Sequence, residues 1–164
     1  LEAALQARKL APEDGEAILW WGANLANLAE VERSVSLLGK VKEFEAALIE
    51  LKKTNPGHAF GGADRALGRL YQKAPPFISV GSMSRAGAHL REAMAKFPDF
   101  PGNPIFLADY LAEKGEWAEA KKLAQSGLSS PKFKDYPFEA YEWALIGERV
   151  VEVADRAKRE GRLR

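Results

Sequence analysis

Ala86–Pro98, AGAHLREAMAKFP, decides how the rest of the chain reads. Ala86, Leu90 and Ala93 fall at i, i+4 and i+7 on one face of a helix, and Pro98 stops it. Thirty-four residues on, the same places hold Ala120, Ala124 and Gly127. Small side chains on a buried stripe let a neighbouring helix come close. A self-similarity of this length fits two helices and their turns. Such a pair cannot bury its stripes alone, so pairs stack.

Working outward, the same grammar recurs. Leu1 to Leu10 is rich in Ala and Leu and closes at Pro12. Pro12-Glu13-Asp14 suits a helix start, with proline in the first turn and acids at the positive end of the dipole. Ile18, Trp21, Leu25 and Leu28 then predict an amphipathic helix to about Arg33. Leu37, Val41, Phe44, Leu48 and Leu51 predict the next, ended by Asn55-Pro56-Gly57. A third pair opens near His58 with Ala63, Leu67, Leu70 and Tyr71 on its buried face. The Pro75–Gly81 connection is longer than a tight repeat turn, and Ser82 caps the helix that runs to Lys96. Asn103-Pro104 reads as a capping amide followed by proline at the first helical position. Leu107, Ala108 and Leu111 are expected to bury, Gly115 to turn, and Trp117, Ala120, Leu123 and Ala124 to form the partner helix. After Ser129-Ser130-Pro131, a last helix opens at Asp135–Pro137 with Tyr141, Leu145, Val151 and Ala154 on its expected stripe. The total is about eight helices and no strand, an all-α chain of stacked antiparallel pairs. The period is that of tetratricopeptide repeats, an α-solenoid. We expect one helical-repeat domain over residues 1–164, with a concave face lined by the first helix of each pair. Gly22, Ala66, Gly68 and Ala108 are the expected places of close helix approach.

Composition removes several function classes. A net charge of +1 indicates neither a nucleic-acid partner nor an acidic tail. No run approaches the roughly 18 apolar residues needed to span a membrane. With no cysteine there is neither a disulfide nor thiol chemistry. The opening LEAALQARKLAP reads as the end of a helix, so the chain is expected to begin inside a longer precursor.

Catalytic constellations are not expected. His58 and His89 fall in different helices, with no second ligand at metal spacing. Ser126-Gly127, Ser129 and Ser130 match no nucleophile elbow. Gly61 and Gly62 follow no strand and belong to no GxGxxG or Walker pattern, so they read as permitting close backbone approach. The expectation is therefore a binding protein, with no metal and no cofactor. With Leu67, Gly68 and Tyr71 on the buried positions, Arg65 and Arg69 face the groove. Equivalent placements put Asn27, Ile105 and Asp109 there. Two guanidiniums four residues apart either hold a carboxylate or an acidic loop of a partner, or pair with Asp64, Asp109 or a neighbouring helix end. Trp20 and Trp21 cannot face the same side. Trp21 is favoured as core, with the other ring at a cavity or interface. The candidate ligand- or partner-binding residues are Arg65, Arg69, Tyr71, Asn27, Asp109 and Trp21. Phe77 and Ile78, in the inserted loop, either pin it down or form a partner surface. The basic end Lys158–Arg164 complements a helix dipole or meets an anionic surface.

Three segments carry a resemblance: ILWWGANLANLAE (18–30), GGADRALGRLYQKAP (61–75) with Gly81 and Ala86, and FPDFPGNPIFLADYLAEKGEWAEA (97–120). In this order they resemble the T-component family of tripartite ATP-independent periplasmic (TRAP) transporters, divergent tetratricopeptide proteins, over about residues 15–130. Ser82 stands where such proteins often carry an acid after the loop glycine. The resemblance implies a periplasmic protein, often lipid-anchored in its precursor, beside a solute-binding protein. It also implies help in delivering a small apolar or acidic ligand. Self-association into a homo-oligomer is compatible with it. The alternative from the residues alone is a general repeat scaffold holding a peptide or acidic tail in its groove.

Overall fold

The computed structural model describes residues 2–32 and 37–162. Leu1, the expected helix end at Arg33 and the last two residues lie outside them. Among the described residues eight α-helices follow in order: α1 (Glu2–Leu10), α2 (Gly15–Glu32), α3 (Leu38–Thr54), α4 (Gly62–Lys73), α5 (Met83–Lys96), α6 (Gly102–Glu113), α7 (Trp117–Leu128) and α8 (Pro137–Arg159). A 3-10 turn, Pro131–Asp135, precedes α8. Among the described residues there is no strand, so the fold is all-α, as expected. The chain divides into two compact units, Leu1–His89 and Leu90–Arg164.

In the first unit α2 starts at Gly15, so Pro12 precedes the helix instead of lying in its first turn, and Asp14 caps it, its Oδ1 accepting the Ala17 N–H at 3.0 Å. Ile18, Trp21 and Leu25 of α2, Phe44, Leu48 and Leu51 of α3, and Ala63, Leu67 and Tyr71 of α4 are buried. The Trp21 and Phe44 rings meet edge to face, centroids 5.4 Å apart. That contact depends on Gly22, where a Cβ would stand 1.9 Å from Phe44 Cζ. The turn into α4 holds Ala59, Phe60 and Gly61 at φ 47°, 54° and 78°, a left-handed run that only glycine adopts without strain. Between α4 and α5, Ser82 Oγ accepts the Arg85 N–H, the expected cap. Phe77 and Ile78 do not pin this loop; Phe77 is 98% exposed.

In the second unit the recurrence that opened the reading is visible as packing. Leu90, Ala93, Ala120, Ala124 and Gly127 are all buried, as is Ala86 in the first unit. Ile105 of α6 fills the space a Cβ on Gly127 would need, 2.5 Å away. Gly115, at φ 79°, turns α6 into α7. Asn103 corrects the expected cap. It lies inside α6, which starts at Gly102, and its Nδ2 donates to Ala93 O (3.2 Å) and Phe97 O (2.9 Å) at the end of α5. The expected stripe of α8 is also corrected. Tyr141 and Leu145 are exposed, and Trp143, Ile146, Val150, Ala154 and Ala157 form the buried face. The Trp143 ring sets that rotation, packed at 5.2, 5.9 and 5.5 Å from Phe100, Phe133 and Tyr136.

Candidate functional site

Two polar clusters tie α3, α4 and α5 together in the first unit. Glu45 and Lys52 stand two turns apart on α3, Asp64 and Tyr71 two turns apart on α4, and Arg85 and His89 one turn apart on α5. At one end the Tyr71 hydroxyl donates to Glu45 Oε1 at 2.9 Å, and Arg85 donates to both. The Arg85 guanidinium also lies over the Tyr71 ring, 3.8 Å from its centroid. Burial, then the hydrogen bond and charge of Glu45, push the Tyr71 hydroxyl up to about 12. It stays a protonated donor at neutral pH. At the other end Asp64 Oδ1 lies 2.7 Å from Lys52 Nζ and 2.7 Å from His89 Nδ1. Burial alone would raise the Asp64 pKa. The hydrogen bonds from His89 and Lys52 outweigh it and hold the carboxyl below its usual range.

The residues singled out from the sequence go to separate partners. Arg65 donates to Ala59 O at 3.2 Å and Phe60 O at 3.3 Å, bracing the left-handed run that precedes its own helix. Arg69 donates to Gln72 Oε1, one turn along α4. Trp21 is core, with the Arg8 guanidinium 4.0 Å from its ring centroid, while Trp20 is exposed. Asn27 is exposed on α2. Asp109 belongs to the second unit, where it is buried and paired with Arg149 of α8 at 2.5 Å. Ile105 packs on Gly127 rather than on an open groove. The sequence reading missed Glu45, Lys52, Arg85 and Arg149. The paired polar spacings on three successive helices were the signal available for the first three.

The second unit presents two further features. An open cleft of about 240 Å³ lies between α6, α7 and α8, lined by Asp109, Ala112, Glu113, Trp117, Arg149, Val150 and Val153. Nearer its start α8 carries the exposed side chains Phe138, Tyr141 and Leu145.

No family model matches the chain. Over 87 residues, 53% of this chain, it is 29% identical to the tetratricopeptide repeat and J domain-containing co-chaperone DNJ1 of Fusarium oxysporum f. sp. lycopersici. The matched stretch spans 16% of that protein's length. The all-helical architecture and this likeness both fit a tetratricopeptide-like chain.

Proposed function

We propose that the chain is a helical-repeat scaffold that holds another polypeptide. The observation that carries this is the buried recurrence of Ala86, Leu90 and Ala93 in Ala120, Ala124 and Gly127, the register of a tetratricopeptide pair. A binding role suits the polar groups as well. Tyr71 is held protonated and Asp64 is committed to Lys52 and His89, so neither is poised for proton transfer near neutral pH. The cleft beside Arg149 is smaller than the ~300 Å³ at which small-molecule pockets begin, which suits one partner side chain better than a whole ligand.

The narrower reading, a periplasmic module working beside a solute-binding protein, takes its support from the resemblance of the three quoted segments. It is the same kind of activity with a stated partner.

Photoreactive residues introduced at Trp20, Phe77 and Phe138, all exposed, test the scaffold. We expect at least one position to crosslink a defined polypeptide that rebinds when purified. Crosslinking that yields no polypeptide able to rebind would overturn the reading. Titration with the purified solute-binding protein decides the narrower form.

A further inference from the structure

The first half of α8 has an apolar face turned to solvent. Phe138, Tyr141 and Leu145, at i, i+3 and i+7, are 84%, 73% and 53% exposed, opposite the stripe of Trp143, Ile146 and Val150. Helical geometry places Glu142 on one flank of this face and Glu148 on the other. Both carboxylates are exposed, and neither has an ion-pair partner among the described residues. Lys134 and Asp135, in the preceding turn, offset each other in charge, Lys132 there pairs with Asp99, and Arg149, one turn past Leu145 on the Glu142 side, pairs with Asp109.

We infer that this face docks a basic amphipathic helix supplied by a partner polypeptide. The partner's apolar side chains would lie on Phe138, Tyr141 and Leu145, and its Lys or Arg side chains on Glu142 and Glu148. The inference rests on the scaffold reading and adds a place and a partner chemistry to it.

Three arguments select that occupant. Phe138 to Leu145 spans two turns, about 10 Å, which matches two turns of an opposing helix and its i, i+3/i+4, i+7 anchors. Unpaired carboxylates on both flanks attract cations and set register more than they add affinity. Antiparallel pairing of two α8 faces about Tyr141 would set Glu142 beside its own likeness, a repulsion that a basic helix does not meet. An anionic lipid surface meets the same repulsion.

Two labelled helical peptides of about 18 residues serve as probes, long enough to hold some helix in water. Both carry leucine at the anchor spacing, one with lysine elsewhere and one with glutamate. Fluorescence anisotropy against the full chain is expected to favour the lysine peptide by roughly tenfold or more, the preference shrinking as salt rises. Glu142→Lys with Glu148→Lys should reverse the order. Tyr141→Ser with Leu145→Ser should weaken the lysine peptide by about tenfold while the circular dichroism melt stays put. Equal binding of the two peptides, or a preference that survives the charge reversal, would overturn the docking face. So would a concentration-dependent dimer in sedimentation that the serine variant abolishes, which would assign the face to a second copy. Partner crosslinks that map away from α8, with both peptides silent, would sink this inference and leave the scaffold standing.

Discussion

Asp64 carries its charge where 1% of its surface meets water, and the cation of Lys52 and the ring of His89 compensate it. Breaking one side of such a cluster costs more than the cluster contributes, because the remaining charge is left without its partner. Asp64→Asn keeps the shape and removes the charge. Lys52 is a quarter exposed, so the loss falls at the low end of the range for buried pairs, about 3 kcal/mol near pH 7. The sign with pH follows from the lowered carboxyl pKa. The folded group ionises below 3.8 and the unfolded one near its ordinary value. Its contribution is therefore present above about pH 4 and lost as pH falls through the folded pKa. Urea unfolding of both proteins from pH 7 down to pH 2 should show a gap that closes below pH 4. A gap that persists to pH 2 would mean the charge is not what the site depends on.

Among the helices, α5 and α7 were legible because each buries one narrow stripe of small residues on a regular period. α6 was not. Every residue from Gly102 to Ala112 is buried, so periodicity had no polar face to orient it, and Ile105 and Asp109 could not be assigned to a groove. Asn103 shows the same loss of information. An asparagine before a proline is a strong capping signal, but here its amide reaches back to the carbonyl end of α5. The two readings separate cleanly. A cap would tolerate aspartate as well as asparagine. In this position Asn103→Ala should cost about 1–2 kcal/mol in urea unfolding, and Asn103→Asp should cost more, since it removes the donor and buries a charge beside carbonyls. Aspartate as stable as asparagine would restore the cap. For α8 the sequence stripe was rotated because Tyr141 and Leu145 look as apolar as Trp143 and Ile146, and only the aromatic cluster around Trp143 breaks the tie. Trp143→Ala is expected to cost about 3–5 kcal/mol, whereas Tyr141→Ser should stay within about 0.5 kcal/mol. Comparable losses at both would place α8 in the other rotation. The polar clusters of the first unit were half legible: Tyr71 and Asp64 were on the page, but Glu45 and Arg85 look like any surface charge until three helices bring them together.

At the scale of the molecule the two units share one element. Residues Met83–His89 of α5 fall in the first unit and Leu90–Lys96 in the second, and the helix is unbroken across the division. Helix propagation is cooperative, so melting one half of α5 withdraws hydrogen bonds from the other. Each unit holds one buried tryptophan, Trp21 and Trp143 respectively, while Trp20 is exposed and Trp117 is half-buried. Replacing the other three tryptophans by phenylalanine in turn leaves a single reporter in either unit. In each of these proteins the fluorescence is expected to share one denaturation midpoint with the far-UV circular dichroism, which is what a single domain over residues 1–164 requires. The role of α5 has its own control in Ala88, an exposed position inside the helix. Ala88→Pro removes a hydrogen bond and drives the ring against the carbonyl of Ser84, at a cost of roughly 3 kcal/mol, without touching either core. In that background the two midpoints should part, with the reporters still reaching native fluorescence at low denaturant. Separate midpoints already in the unsubstituted helix would make the units two domains, and would remove α5 as the element through which they unfold together.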